Sequence, residues 1–207
     1  MELAEVLERI ARHHHGDVTE WWPYLGGTGV FHRVSDIVVN GSLGWAKPAP
    51  GELVPIDVPP GRYPVYLEVV ADADPAKRAE YGLPASWVSL AVVPLAAPEV
   101  IAESLAAGRL DDPIEDYQPL GPLGAIWSDD GPSRIGTDRA FAARAATQLA
   151  AGAQAGRVPN VVEVPAASGD GAKCVAFHVS SSAGCGAAAA VRDTTGSLVC
   201  LVLGNSA

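Results

Sequence analysis

The side chains that could carry out hydrolytic chemistry lie in the second half of the sequence, next to glycine-containing turns. Ser128 or Ser168 could act as a nucleophile, and His178 could act as its base. Such catalysis needs a nucleophile, a base and an orienting carboxylate within hydrogen-bond reach of one another. The G-x-S-x-G pattern that holds a serine on a sharp turn is absent. A hydrolase is therefore an alternative hypothesis, and its candidate binding residues are Trp127, Ser128, Asp129, Asp130, Asp170 and His178.

Histidines and cysteines offer potential metal ligands, but their spacing does not favour a metal site. His13, His14 and His15 are consecutive, and neighbouring side chains on a helix point about 100° apart, so the three cannot all reach one ion. The three cysteines, at positions 174, 185 and 200, do not have the spacing of a zinc module. The sequence therefore predicts no metal and no other cofactor.

Aspartates beside glycines form two further motifs, Asp129-Asp130-Gly131 and Asp170-Gly171. Neither has the spacing of a calcium-binding EF-hand loop. Asp commonly hydrogen-bonds to its own backbone in turns, and Gly adopts the positive φ angles that turns require. We interpret both motifs as turns.

An aromatic cluster formed by Trp21, Trp22 and Tyr24 is a third feature with chemical potential. Stacked rings of this kind bind sugars and other small ligands when they are exposed, and they pack into the core when they are buried. A carbohydrate or small-ligand binder that uses these rings is a second alternative hypothesis.

The charge of the chain limits the classes of partner. The 207 residues include 14 basic and 24 acidic side chains, a formal net charge of −10. Residues 1–138 contain 9 of the basic and 21 of the acidic side chains. Because phosphate neutralisation requires a basic face, we expect neither nucleic acid nor an anionic membrane as partner. A basic protein is the partner that this composition favours.

Cysteine content and the apolar pattern indicate the compartment. The three cysteines are an odd number, and the first 17 residues do not resemble a secretory signal. No apolar stretch is long enough for a transmembrane helix. The sequence therefore predicts a cytoplasmic protein with reduced thiols.

The hydrophobic periodicity predicts helices over residues 2–14, 98–107 and 138–151. Strands are expected over 29–39, 52–58, 59–70, 86–95 and 125–127, followed by four strands in the tail, and DTTGS predicts a hairpin between the last two. The acidic stretch 111–117 is expected to be a solvated loop. We predict one α+β domain with an antiparallel β-sandwich-like core, an N-terminal helical appendage over residues 1–20 and two further helices.

Four short stretches occur in an order that resembles a known family. They are PGRYPV at residues 60–65, the strand that contains Trp87, the turn at 126–131, and SGDGAKCVAFHV with its Gly169, Asp170 and Gly171. Together they resemble the bacterial domain of unknown function 4241 family over about residues 50–204. The chain departs from the family where Leu203, Gly204 and Asn205 stand in place of the usual Asp-Phe. The resemblance implies a β-rich architecture and no particular activity.

The favoured hypothesis from the sequence is a cytoplasmic, non-enzymatic binding or interaction protein with a basic protein partner. A toxin-neutralising, immunity-type role is consistent with its size and acidity. The hydrolase and the small-ligand binder remain the alternatives, and the sequence leaves the oligomeric state open.

Overall fold

The computed structural model describes residues 1–15, 29–45, 56–71, 86–109, 114–117, 123–128, 139–178 and 185–206. Within these ranges the chain is α+β, with three helices and eleven strands. The helices are α1 (Leu3–His15), α2 (Pro98–Ala106) and α3 (Arg139–Gln154). The strands are β1 (Val30–Val39), β2 (Ser42–Trp45), β3 (Ile56–Asp57), β4 (Gly61–Ala71), β5 (Ser86–Pro94), β6 (Ile114–Tyr117), β7 (Leu123–Ser128), β8 (Val161–Pro165), β9 (Ala172–His178), β10 (Cys185–Arg192) and β11 (Leu198–Ser206). No helix within these ranges is long and apolar enough to cross a bilayer.

The described strands form one large, curled sheet that is mostly antiparallel. Its order is β3-β2-β7-β9-β1-β4-β5-β11-β10-β6, and β8 pairs with β9 beside this path. The pairing of β1 with β9 is parallel and joins Ile37 to Ala172. The α+β class is confirmed. The β-sandwich is not confirmed, because the described strands are hydrogen-bonded into a single sheet rather than two.

The contact between β1 and β9 divides the sheet into two arms. The first arm contains β1, β4, β5, β11, β10 and β6, and the second contains β3, β2, β7, β9 and β8. Both arms contribute side chains to one apolar core, including Leu67, Val93 and Leu201 from the first arm and Ile126 and Phe177 from the second. Because the sheet is curled, the inner faces of its two arms pack against each other and bury their apolar side chains, as a stable domain requires.

Helices cover the outer faces of the two arms. The apolar side of α1, with Val6, Leu7 and Ile10, packs together with α2 against Leu90 and Val202 of the first arm. Helix α3 covers the second arm with Ala145 and Leu149. The three helices predicted from periodicity are confirmed, with ends that differ by up to three residues.

Two predicted chain reversals are also confirmed. Gly108 follows α2 with φ of +67°, and the N–H of Arg109 donates to the carbonyl of Ser104, which closes the helix as glycine commonly does. The hairpin between β10 and β11 turns at Asp193, which accepts hydrogen bonds from the backbone N–H groups of Thr195 and Ser197.

The acidic stretch 111–117 differs from its prediction. Ile114–Tyr117 forms β6, which pairs with β10 at the end of the sheet, so this part is not a loop. An edge strand tolerates charged residues because only one of its sides is hydrogen-bonded to the sheet. Strand β2, which pairs with β7, was not predicted from the sequence at all.

Candidate functional site

Helices α1 and α2 lie side by side and run in the same direction. The amino group of Met1 lies 3.3 Å from Oε1 of Glu99 near the start of α2. At the other end, a cleft of about 210 Å³ is lined by residues from both helices and the turn after α2: Arg9, His13, Leu105, Ala106 and Gly108. The two N-terminal ends therefore share one side of the layer, and the two C-terminal ends share the other.

Charges on this helical layer follow the helix dipoles. Five exposed carboxylates lie before or within the first two turns of these helices, and those of Glu5 and Glu99 are in first turns, where the partial positive charge of the helix end stabilises them. They are Glu2, Glu5, Glu8, Glu99 and Glu103. Hydrogen bonds from its own backbone N–H and from the Met1 amino group, together with the amino-group charge, lower the pKa of Glu99. This carboxylate therefore stays ionised at neutral pH.

Two apolar side chains lie among these carboxylates. Met1 is 45% exposed and Val100 is 37% exposed. Val100 follows Glu99 in the sequence, and the amino group of Met1 forms an ion pair with the Glu99 carboxylate. An apolar centre with a charged rim is the usual composition of a protein-binding surface. We call the five carboxylates with Met1 and Val100 the acidic helix surface.

The cleft at the opposite end is better explained by helix electrostatics than by ligand binding. Arg9 lies there with His13 beside the C-terminal turn of α2, and the Arg9 guanidinium compensates the partial negative charge of the helix end. The cleft is also smaller than the roughly 300 to 1,000 Å³ typical of small-molecule sites.

A buried carboxylate lies beneath the helical layer. Glu68 in β4 is 1% exposed, and the hydroxyl of Ser89 in β5 donates to its Oε2 at 2.5 Å. The register shift between β4 and β5 makes Ser89 an extra residue of its strand. This β-bulge aims the hydroxyl at the carboxylate, which is a common use of bulges. Gly29 completes the pocket, because a Cβ there would lie 2.3 Å from Cγ of Glu68.

The last turn of α1 covers the same face of the sheet. Glu68 and Gly204 both pair with Leu90, one on each side, so all three positions face α1. The ring of His14 lies directly on Gly204, where a Cβ would be 2.0 Å from Cε1. His14 thus ends the helix stripe that faces the sheet.

We expect Ser89→Ala to lower the free energy of unfolding by about 1.5 to 3 kcal/mol, because a hydrogen bond to a buried carboxylate is lost. Urea denaturation at neutral pH measures this loss. Ser104→Ala is the matched control, since the Ser104 hydroxyl donates to the carbonyl of Val100 in its own helix. We expect the control to change stability by less than about 0.5 kcal/mol. Equal losses in the two variants would contradict a special role for the contact between Glu68 and Ser89.

Trp127 and Ser128 are buried side chains on opposite faces of β7. Trp127 is fully buried in the cluster beneath α3, whereas Ser128 pairs with Leu43 and faces the inner core. Among the described residues, neither Nε1 of Trp127 nor Oγ of Ser128 has a hydrogen-bond partner. The indole lies over Gly44, where a Cβ would be 2.6 Å from Nε1. Both side chains are therefore part of the buried interior rather than of an accessible site.

Asp170 and His178 lie at opposite ends of β9. Asp170 is exposed in the turn between β8 and β9, as the turn interpretation predicted. In the pairing of β7 with β9, Cys174 lies opposite Trp127 and His178 lies opposite Leu123. His178 is therefore four residues, or about 13 Å, along the strand from the position opposite Trp127. Burial lowers the pKa of His178, which keeps its ring neutral. The described members of the hydrolase set are thus not brought together.

Five sequence-predicted site residues fall outside the described ranges. They are Trp21, Trp22, Tyr24, Asp129 and Asp130. The aromatic platform and the aspartate pair therefore stay predictions.

The two described cysteine thiols do not form a metal site. Cys174 and Cys200 are free and buried in different clusters, beneath α3 and beneath α1 respectively. Burial raises the pKa of Cys174 to about 12, so its metal-binding thiolate form is disfavoured at neutral pH. Throughout the part of the chain that the structure describes, no three or more His, Cys, Asp and Glu side chains are grouped to hold a metal.

Comparison of the chain with family models, curated proteins and solved structures finds no match in any of the three. The resemblance to the domain of unknown function 4241 family stays a prediction.

Sequence reasoning missed Glu68, Ser89 and the packing of His14. One signal was available for His14, because Leu3, Leu7, Ile10 and His14 follow the spacing of a helix stripe. Glu68 shares the polar side of β4 with Tyr66 and Arg62, so the sequence pattern predicts that it is exposed. No local pattern shows that α1 covers the end of this side at which Glu68 lies.

Proposed function

We propose that this protein is a cytosolic, non-enzymatic binding protein that engages a basic protein partner through its acidic helix surface. The observation that carries the proposal is the grouping of exposed carboxylates around Met1 and Val100 on two adjacent helices. The net charge of −10 supports it, because a strongly acidic protein attracts basic partners over a distance and speeds their association. Free thiols at Cys174 and Cys200 are consistent with a reducing compartment.

An immunity-type role, in which the partner is a basic toxin, is the specific form of this proposal. Such a function needs a rigid surface rather than reactive groups. Glu99 and Val100 lie on α2, whose opposite side packs into an apolar cluster with the sheet, and Met1 precedes α1 and is bound to Glu99 by its amino group. Binding by a preformed surface loses little conformational entropy, and this favours affinity.

The test has two stages, affinity capture and measurement of the affinity for the captured protein. We expect capture from the source cells at low salt to enrich basic proteins and capture at high salt to lose them, since salt screens exposed charges. Glu5→Gln with Glu103→Gln is expected to weaken binding of the main captured protein by about tenfold or more.

The matched control changes the net charge by the same amount, but at positions far from the acidic helix surface. Asp57→Asn with Glu163→Gln neutralises two exposed carboxylates of the second arm. We expect this control to weaken binding by less than about threefold, because its charges act only at long range. Capture of no basic protein would contradict the proposal, and so would equal weakening by the two double variants.

A further inference from the structure

Two arginines on the outer face of the first arm share one carboxylate. Arg33 Nη2 lies 2.6 Å from Oδ1 of Asp36, whereas Arg62 approaches Oδ2 with Nε at 2.8 Å and Nη2 at 2.5 Å. Each oxygen of the carboxylate is therefore used by a different guanidinium. The three side chains belong to β1 and β4, and none of them is part of the acidic helix surface.

The backbone is shaped to make this arrangement. In a regular strand, residues three apart point to opposite faces, so Arg33 and Asp36 should not meet. A β-bulge between Arg33 and Ser35 adds Val34 to β1 and returns Arg33 to the face of Asp36. Bulges often re-aim a side chain at a functional position.

Burial distinguishes the carboxylate from the guanidinium groups. The Asp36 side chain is only 11% exposed, while those of Arg33 and Arg62 are each 58% exposed. Burial would raise the pKa of Asp36, but the hydrogen bonds and charges of the two arginines outweigh it and lower the pKa below its usual value. The carboxylate therefore stays ionised at neutral pH and fixes the two cations.

We propose that Arg33 and Arg62, positioned by Asp36, form a binding site for the phosphate group of a small phosphate monoester. The cluster has a net charge of +1 within an acidic protein, and each guanidinium has N–H donors beyond those bound to Asp36. The two guanidiniums bind different oxygens, and a tetrahedral phosphate has enough oxygens to accept from both of them. A phosphate also carries more negative charge and more acceptor oxygens than a carboxylate, so two guanidiniums bind it more strongly.

Titration with inorganic phosphate, followed by NMR of the arginine Nε–H signals at constant ionic strength, tests the site. We expect saturable shifts of the Arg33 and Arg62 signals at millimolar phosphate, and binding of acetate about tenfold weaker. Phenyl phosphate, a simple monoester, is expected to bind at least as tightly as the free ion. Equal responses to phosphate, acetate and chloride would show only nonspecific attraction and would overturn the proposal.

Charge-conserving variants separate geometry from charge. Arg33→Lys and Arg62→Lys keep the positive charge but lose the fork of donors, so each is expected to weaken phosphate binding by about fivefold or more. Arg157→Lys is the matched control, because Arg157 is exposed and lies outside the cluster. Unchanged affinity in both cluster variants would overturn the assignment. Unfolding in urea confirms that all three variants are folded, and the result is independent of any protein partner.

Discussion

Replacement of Trp127 by Ala is expected to lower the free energy of unfolding by about 3 to 5 kcal/mol, the largest loss predicted for this protein. The Trp127 side chain is completely buried on the outer face of β7, where α3 covers it. Its removal deletes a large apolar area and leaves a cavity in the cluster that Trp127 forms with Ala145 and Leu149. Urea denaturation at neutral pH, monitored by far-UV circular dichroism, measures the loss.

Gly44 provides the control for this prediction. A Cβ at Gly44 would lie 2.6 Å from Nε1 and 2.9 Å from Cε2 of the indole, and the indole is enclosed and has nowhere to move. Gly44→Ala should therefore cost about 1 to 3 kcal/mol in the wild-type protein. In the Trp127→Ala background the same change should cost almost nothing, because the clashing ring is gone. Additive losses in the double variant would show that the ring does not occupy this place.

The helices could be predicted from the sequence because their determinants are local. The stripe of Leu3, Val6, Leu7 and Ile10 defines α1, and Pro98 and Gly108 delimit α2. The hairpin at Asp193 was predictable for the same reason, since the turn is stabilised by bonds within five residues.

The rest of the sheet depends on partners that are distant along the chain. Ser42–Trp45 is too short to show a pattern, and it becomes a strand by pairing with β7, more than 80 residues later. Ile114–Tyr117 becomes a strand through β10 in the same way. The single curled sheet, which replaces the predicted sandwich, requires the pairing of β1 with β9 at Ile37 and Ala172, and this pairing has no local signal.

The candidate sites show the same limit. The acidity that suggests a basic partner is visible in the composition, but the grouping of carboxylates on α1 and α2 requires the two helices to lie in parallel. The pairing of Arg33 with Asp36 depends on a bulge, and strict alternation predicts that they lie on opposite faces. The described members of the hydrolase set do not meet for a related reason, because the adjacent residues Trp127 and Ser128 point to opposite faces of β7 and His178 lies at the far end of β9.

Gly171→Ala is expected to lower the free energy of unfolding by about 2 to 3 kcal/mol through damage at the junction of the two arms. A Cβ at Gly171 would lie 2.6 Å from the main-chain oxygen of Asp36 and 3.1 Å from Cγ2 of Val38. A main-chain atom cannot swing aside as a side chain can, so β1 and β9 must separate near the pair Ile37 and Ala172. Urea denaturation measures the loss, and hydrogen exchange of the β1 and β9 amides locates it.

Gly169→Ala, in the same turn, is the matched control. Gly169 has φ of +77° and nothing within 4 Å of an added Cβ, so Ala there adds only the backbone strain of the left-handed region, about 1 to 2 kcal/mol. We expect Gly169→Ala to increase exchange in the turn between β8 and β9 and to leave β1 protected. Gly171→Ala should increase exchange in β1 and, because Asp36 moves with it, should also weaken phosphate binding by Arg33 and Arg62. Equal exchange patterns in the two variants would contradict the assignment of Gly171 to the junction, and the Gly-Asp-Gly motif would then act only as a turn.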